Sequence, residues 1–137
     1  MGKVVLDSSV LLGLLDAKDA HHEAASAAVR TCTEDGQALL LPATALSEIL
    51  VGASRVGSDA VRVTEAFVDR IVTTVLPIDR AVARSAAELR ANYRNLRLPD
   101  ALVLACGIVH AVDTVLTADR SWRRIDPRVR VIGGPAR

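Results

Sequence analysis

The feature that most constrains the fold is a series of short apolar runs, each set apart from the next by helical patterns. K-V-V-L at 3 to 6 ends at Asp7, A-L-L-L at 38 to 41 stops at Pro42, and T-T-V-L at 73 to 76 is closed by Pro77. D-T-V-L-T at 113 to 117 gives a fourth run, and R-V-R-V-I at 128 to 132 can form a last edge strand. Runs this short and rich in β-branched residues read as strands. Between them the spacing predicts helices over 8 to 15, from Asp19 to about Thr33, and over 43 to 56. Further helices are predicted from G-S-D at 57 to 59 to about Ile71, and from an Asp79 cap to about Asn95. An apolar helix follows L-P-D at 98 to 100, and A-D-R-S-W-R-R makes a short helical turn. Strands separated by helices need crossover connections, which predicts an α/β fold. The expected architecture has three layers, α/β/α, around a mostly parallel sheet of four or five strands covered on both faces. In such sheets ligands bind beyond the carboxyl ends of the strands.

A chain of 137 residues fits one domain, 1–137, and no linker or repeat interrupts the order. With 50% hydrophobic and 24% charged residues, the composition excludes a disordered chain. The longest apolar stretch, 101 to 112, is too short for a membrane span and contains Gly107 and His110. An acid at position 7 stands where a secretory signal needs its apolar region, so a cytoplasmic protein is expected. Cys32 and Cys106 lack any C-x-x-C or Cys/His spacing and read as packed, reduced thiols. His21, His22 and His110 show no ligand spacing either and read as structural.

The acids carry more information. Asp7 ends the first strand and Asp119 follows the fourth, so both fall at the expected ligand edge. Taken singly, each reads first as a helix cap. Asp100 follows Pro99 at the head of a helix whose Leu102, Val103, Leu104, Cys106, Ile108 and Val109 point all round the axis, so that helix is expected to be buried on every side. A carboxylate there needs a partner, and Arg97 is the nearest candidate in sequence. Glu48 falls opposite the apolar stripe Leu46, Ile49, Leu50 and Ala53, and by itself reads as a solvent-facing residue. Asp113 lies at the beginning of its strand and ranks below Asp119.

Together, V-V-L-D-S-S-V-L-L at 4 to 12, S-E-I-L at 47 to 50, L-P-D-A-L-V-L-A at 98 to 105 and V-L-T-A-D-R-S-W at 115 to 122 resemble the PIN-domain family. Within it the likeness is to VapC-type ribonuclease toxins of toxin–antitoxin pairs, and it covers nearly the whole chain. The resemblance implies a PIN-like fold and a catalytic quartet of Asp7, Glu48, Asp100 and Asp119. It places the metal on Asp7, Asp100 and Asp119, with Ser9 and Thr117 as supports. It also implies a homodimer and a VapB-like antitoxin lying along the active-site groove.

Crowded carboxylates repel one another unless a cation neutralises them. Oxygen-only ligands suit Mg²⁺ or Mn²⁺, which can activate water and stabilise charge on phosphate. The chemistry this favours is metal-assisted phosphodiester hydrolysis, with RNA the substrate that the resemblance implies. An acidic site also needs cations elsewhere to hold RNA. Net charge is only +1, yet residues 80 to 137 carry eleven arginines against five acids. Arginine grips phosphate with a bidentate fork. Arg80 with Arg84 and Arg90 with Arg94 are i,i+4 pairs that can share helix faces, and Arg120, Arg123 and Arg124 follow Asp119. With one Phe, one Tyr and one Trp, base stacking is a minor resource. Two other readings remain open: a catalytically silent PIN-fold binding module, and an aspartyl-phosphate-type phosphatase with Asp7 as nucleophile. The latter chemistry usually shows D-x-D where this chain reads D-S-S.

Overall fold

Val4, Val5 and Leu6 have no solvent exposure, as a strand covered on both faces requires. They form β1 (Lys3–Leu6), the centre of the sheet in the computed structural model, which describes residues 2–133. The chain continues through α1 (Ser8–Leu15), α2 (His22–Glu34), β2 (Ala38–Pro42), α3 (Ala43–Val56), α4 (Ser58–Ile71) and β3 (Thr74–Leu76). Then come α5 (Arg80–Asn92), α6 (Leu98–Val109), β4 (Thr114–Thr117), a 3-10 turn (Arg120–Arg124) and β5 (Val129–Val131). The five strands lie in the order β3-β2-β1-β4-β5 and every pairing is parallel, with Val4 opposite Leu39 and Thr114. The expected α/β sheet is therefore five-stranded and carries no antiparallel member.

This order creates a switch point. From β1 the chain steps outward to β2 and β3, then returns to the other side of β1 as β4. The crevice beyond the carboxyl ends of β1 and β4 is where an open parallel sheet offers a ligand site. Right-handed crossovers put the helices of the first two connections on one face and those of the third on the other. Val4, Thr114 and Leu116 accordingly line a pocket with α2, whereas Val115 faces α6. There Gly107 lets α6 approach the sheet so closely that an added Cβ would stand 2.6 Å from Val115 Cγ2.

Three helix boundaries differ from expectation. The second helix starts at His22, not Asp19, because the Asp19 carboxylate accepts the His21 N–H and its carbonyl the His22 N–H, making a turn. The fifth helix ends at Asn92: Tyr93 leaves the helical region, and the Leu96 N–H closes a turn on the Tyr93 carbonyl. α6 begins at Leu98, one residue before Pro99. Nor is α6 enclosed on all sides, since Leu98 and Val109 are exposed and Leu102 and Ile108 only half-buried. Both cysteines are free and buried, and burial pushes the Cys106 thiol up to about 11. Among the described residues no helix is long and apolar enough to cross a membrane.

Candidate active site

β1 delivers Asp7 to the crevice and fixes it there, for the Asp7 N–H donates to the Leu116 carbonyl of β4 at 2.9 Å. The side chain is 6% exposed and has three donors. Oδ1 accepts the Ser8 N–H at 2.8 Å; Oδ2 accepts the hydroxyls of Ser9 at 2.8 Å and Thr117 at 2.9 Å. Capping and site roles therefore coexist, since the Ser8 contact caps α1. Burial pushes the Asp7 carboxyl above its ordinary range, the three donors oppose this, and the charge of Glu48 adds to it.

The same hydroxyls carry the neighbouring strand end. Ser9 Oγ accepts the Ala118 N–H at 3.0 Å and Thr117 Oγ1 accepts the Asp119 N–H at 3.1 Å. Asp119 is exposed and caps the 3-10 turn, its Oδ1 receiving the Ser121 N–H at 2.9 Å and hydroxyl at 2.6 Å. Glu48 is half-buried, turned from the solvent its helix pattern alone would give it, and Oε1 accepts the Ser8 hydroxyl at 3.1 Å. Asp100 sits in the first turn of α6 with Arg97 Nε 3.6 Å from Oδ2; the carboxylate side chain is 19% exposed. Burial raises its pKa most; Arg97 lowers it, and the charges of Asp7, Asp119 and Glu48 raise it further. All four acids thus share one field with one guanidinium among them.

Asp113 lies at the opposite end of the sheet, tied to the Lys3 N–H at 2.8 Å. The histidines are structural neighbours: His22 Nδ1 stands 2.8 Å from the Gly13 carbonyl and His110 terminates α6. Ser8 and Ser121 were not singled out in the sequence, although D-S-S and D-R-S place a hydroxyl within two residues of an acid. Thr44 was missed too; it lies one turn before Glu48 on the same face of α3, and its buried Oγ1 has no partner.

A family comparison matches the PIN domain over residues 4–127. The chain belongs to the PIN-domain family. No curated protein matches it. Among solved structures it resembles a toxin–antitoxin complex from Klebsiella pneumoniae, with TM-score 0.76 and 21% identity over 93% of this chain and 96% of that one. It also resembles VapBC2 of Rickettsia felis bound to a promoter DNA fragment, with TM-score 0.74 and 12% identity over 95% and 98% of the two chains. VapC20 of Mycobacterium tuberculosis, a sarcin–ricin loop cleaving toxin, gives TM-score 0.71 and 19% identity over 88% and 93%. At these identities the likeness is one of fold.

Among the described residues of this PIN domain, no three His, Cys, Asp or Glu side chains already stand together as a metal-ligand group. The donor set nevertheless fits a hard divalent ion. It is all oxygen, its acids outnumber the one guanidinium beside them, and the Thr44 hydroxyl next to Glu48 is unpartnered. Mg²⁺ keeps several waters of its own, so its carboxylates need not converge to contact before it arrives.

Beside Asp100 and Asp119 the PIN domain opens a cleft of about 530 Å³, walled by residues 93–97 on one side and by the 3-10 turn on the other. Of the predicted RNA-binding arginines, Arg94 and Arg124 line it, and Arg97 joins them. Arg80, Arg84, Arg120 and Arg123 do not line it. The expected Arg90–Arg94 face is split, because α5 ends between them: Arg90 Nη1 turns inward to the Leu96 carbonyl at 2.9 Å.

Proposed function

We propose that this chain, as a single domain over 1–137, is the toxin of a type II, VapBC-like toxin–antitoxin pair. Its activity is that of a metal-dependent endoribonuclease hydrolysing RNA phosphodiester bonds with water. The observation that carries the reading is the acidic quartet of Asp7, Glu48, Asp100 and Asp119, which share one field at the switch point with Arg97 as the cation among them. Family membership and the fold likeness to toxin–antitoxin proteins, one of them an RNA-cleaving toxin, support it.

Asp7, Asp100 and Asp119 would hold the ion and Glu48 would complete the acidic site. The chemistry a bound Mg²⁺ or Mn²⁺ supplies is activation of water and neutralisation of charge on the phosphate. The chain's own residues prepare for it. Ser9 and Thr117 occupy Oδ2 of Asp7, leaving the greater acceptor capacity on Oδ1, while Ser121 fixes Asp119. An aspartyl-phosphate route would need Asp7 as its nucleophile, in a chemistry that usually shows D-x-D where this chain reads D-S-S. A VapB-like antitoxin partner, a homodimer and a cytoplasmic setting complete the proposal.

The test is cleavage of total cellular RNA by the purified, antitoxin-free chain in Mg²⁺, Mn²⁺ or EDTA, alongside Asp100→Asn. Metal-dependent cuts lost in the variant support the nuclease. A folded wild type that cuts nothing, or a variant that cuts equally well, moves the silent binding module ahead.

A further inference from the structure

The cleft beside Asp100 and Asp119 continues past the acids, since Asp7 and Glu48 do not line it. Its volume lies within the range of small-ligand sites. Three features of its walls point to one kind of occupant. Tyr93 is 36% exposed, whereas Trp122 is buried and Phe67 is half-buried on α4, so the chain places its most exposed aromatic ring in this wall. The segment that carries the ring is held in advance, because Arg90 and the Leu96 N–H brace the backbone of 93–97 through the Leu96 and Tyr93 carbonyls. Arg94 and Arg124 also line the cleft, and among the described residues neither forms an ion pair.

We propose that this cleft is a nucleotide subsite for single-stranded RNA, with one unpaired base against Tyr93 and its flanking phosphates held by Arg94, Arg97 and Arg124. The proposal rests on the reading of the chain as acting on RNA. A base reaches such a wall only when it is out of a helical stack, which selects loops and single strands over duplex. An aromatic wall accepts any base, so the subsite favours unpaired structure before sequence. Cations beyond the acids, with Arg97 bridging the two zones, let a phosphate chain approach carboxylates that would otherwise repel it.

The chain carries one tryptophan, and Trp122 lines the cleft, so its fluorescence is read beside the anisotropy of a labelled RNA, which reports binding directly. The experiment titrates the full chain in EDTA, where nothing is cut, with an unstructured RNA hexamer, the same hexamer lacking its bases, and a short RNA duplex. The hexamer should saturate the anisotropy signal and the duplex should bind far more weakly. Tyr93→Ala should weaken hexamer binding about tenfold, leave the base-free chain unaffected, and be rescued by Tyr93→Phe. Arg94→Ala and Arg124→Ala should each lower the salt dependence by about 0.7 in log–log slope, with Arg30→Ala as the control outside the cleft. Tyr93→Ala binding like wild type, or duplex binding as tightly as the hexamer, overturns the subsite. So does an unchanged anisotropy with the hexamer, the outcome expected if a protein partner and not RNA fills the cleft. Hexamer binding without metal-dependent cleavage defeats the nuclease and leaves the subsite; cleavage indifferent to Tyr93 and Arg94 does the reverse.

Discussion

Thr117→Val isolates the support of the acidic site from its packing. Thr117 has no solvent exposure, donates to Asp7 Oδ2 at 2.9 Å and receives the Asp119 N–H at 3.1 Å. Valine keeps the shape, so no large cavity opens, and the change is confined to the hydroxyl. A hydrogen bond to a charged group contributes about 1.5–3 kcal/mol. The Asp119 N–H belongs to an exposed residue and can turn to water, so it adds little. The expected loss is about 2 kcal/mol near neutral pH, or roughly 6–10 °C in Tm for a chain of this size. The Thr117 hydroxyl lowers the raised pKa of Asp7, which means it stabilises the ionised form. As pH falls through that pKa the contact becomes neutral to neutral, at about 0.5–1.5 kcal/mol, and the gap between wild type and variant should shrink to about half. Thermal melts in EDTA, near neutrality and below the ordinary carboxyl value of about 3.9, measure this directly. Thr117→Ser keeps the hydroxyl but deletes a buried methyl, so it should lose about 1 kcal/mol equally at both pH values, and metal-dependent cleavage by Thr117→Val should fall about 10–100-fold. A valine gap equal at both pH values, or a serine gap that shrinks with falling pH as the valine gap does, refutes the reasoning.

Asp7→Asn should abolish function without harming the fold. Because burial raises the folded pKa of Asp7, its stabilising contribution is complete below about 3.9 and lost as pH rises through the raised value. In EDTA at neutral pH the variant should therefore melt at or above the wild-type temperature while cleavage falls at least about 100-fold; a large drop in Tm sinks the argument. Gly107→Ala should destabilise by about 1–3 kcal/mol, because the new Cβ meets Val115 at 2.6 Å. Gly52→Ala, with nothing within 4 Å, should instead stabilise by up to about 1 kcal/mol, and denaturant melts showing equal effects count against the packing account. Arg97→Gln removes the cation 3.6 Å from Asp100 and should raise the Asp100 pKa, read by carboxyl NMR in EDTA; an unchanged or lower value refutes it.

β1, β2 and α3 were legible at their boundaries because apolar runs there meet an acid or proline at the turn. Asp7 and Asp119 were legible as site candidates because the parallel-sheet rule says where to look. Glu48 was not legible from its own helix, where periodicity points it at solvent; only the Ser8 hydroxyl, forty residues away, shows where it turns. The cleft was hidden by a boundary. Extending the fifth helix to Asn95 makes Tyr93 and Arg94 ordinary helical surface, whereas ending it at Asn92 turns both into the wall facing the 3-10 turn. Local propensity does not decide between these, because the stop depends on the Leu96 contacts with Tyr93 and Arg90.

Two buried aspartates show that the acidity of the site is selective. Asp126 and Asp7 are each 6% exposed, but Asp126 receives the Arg128 guanidinium at 3.1 Å, whereas Asp7 has only hydroxyl and amide donors. The fold evidently can supply an arginine to a buried carboxylate, and does so two residues away in a structural turn. At the switch point it supplies Arg97 alone and leaves Asp7, Glu48 and Asp119 without a described ion pair. The arginines that would neutralise them stand just beyond, at 94 and 124, on the walls of the cleft. Moving those guanidiniums onto the acids would lower the electrostatic cost of the folded chain, but under the proposed function it would also fill the place of the cation and remove the arginines set to hold phosphate. Under the proposed function, separated acids and arginines let a cation and a polyanion enter together, each neutralising what the other meets.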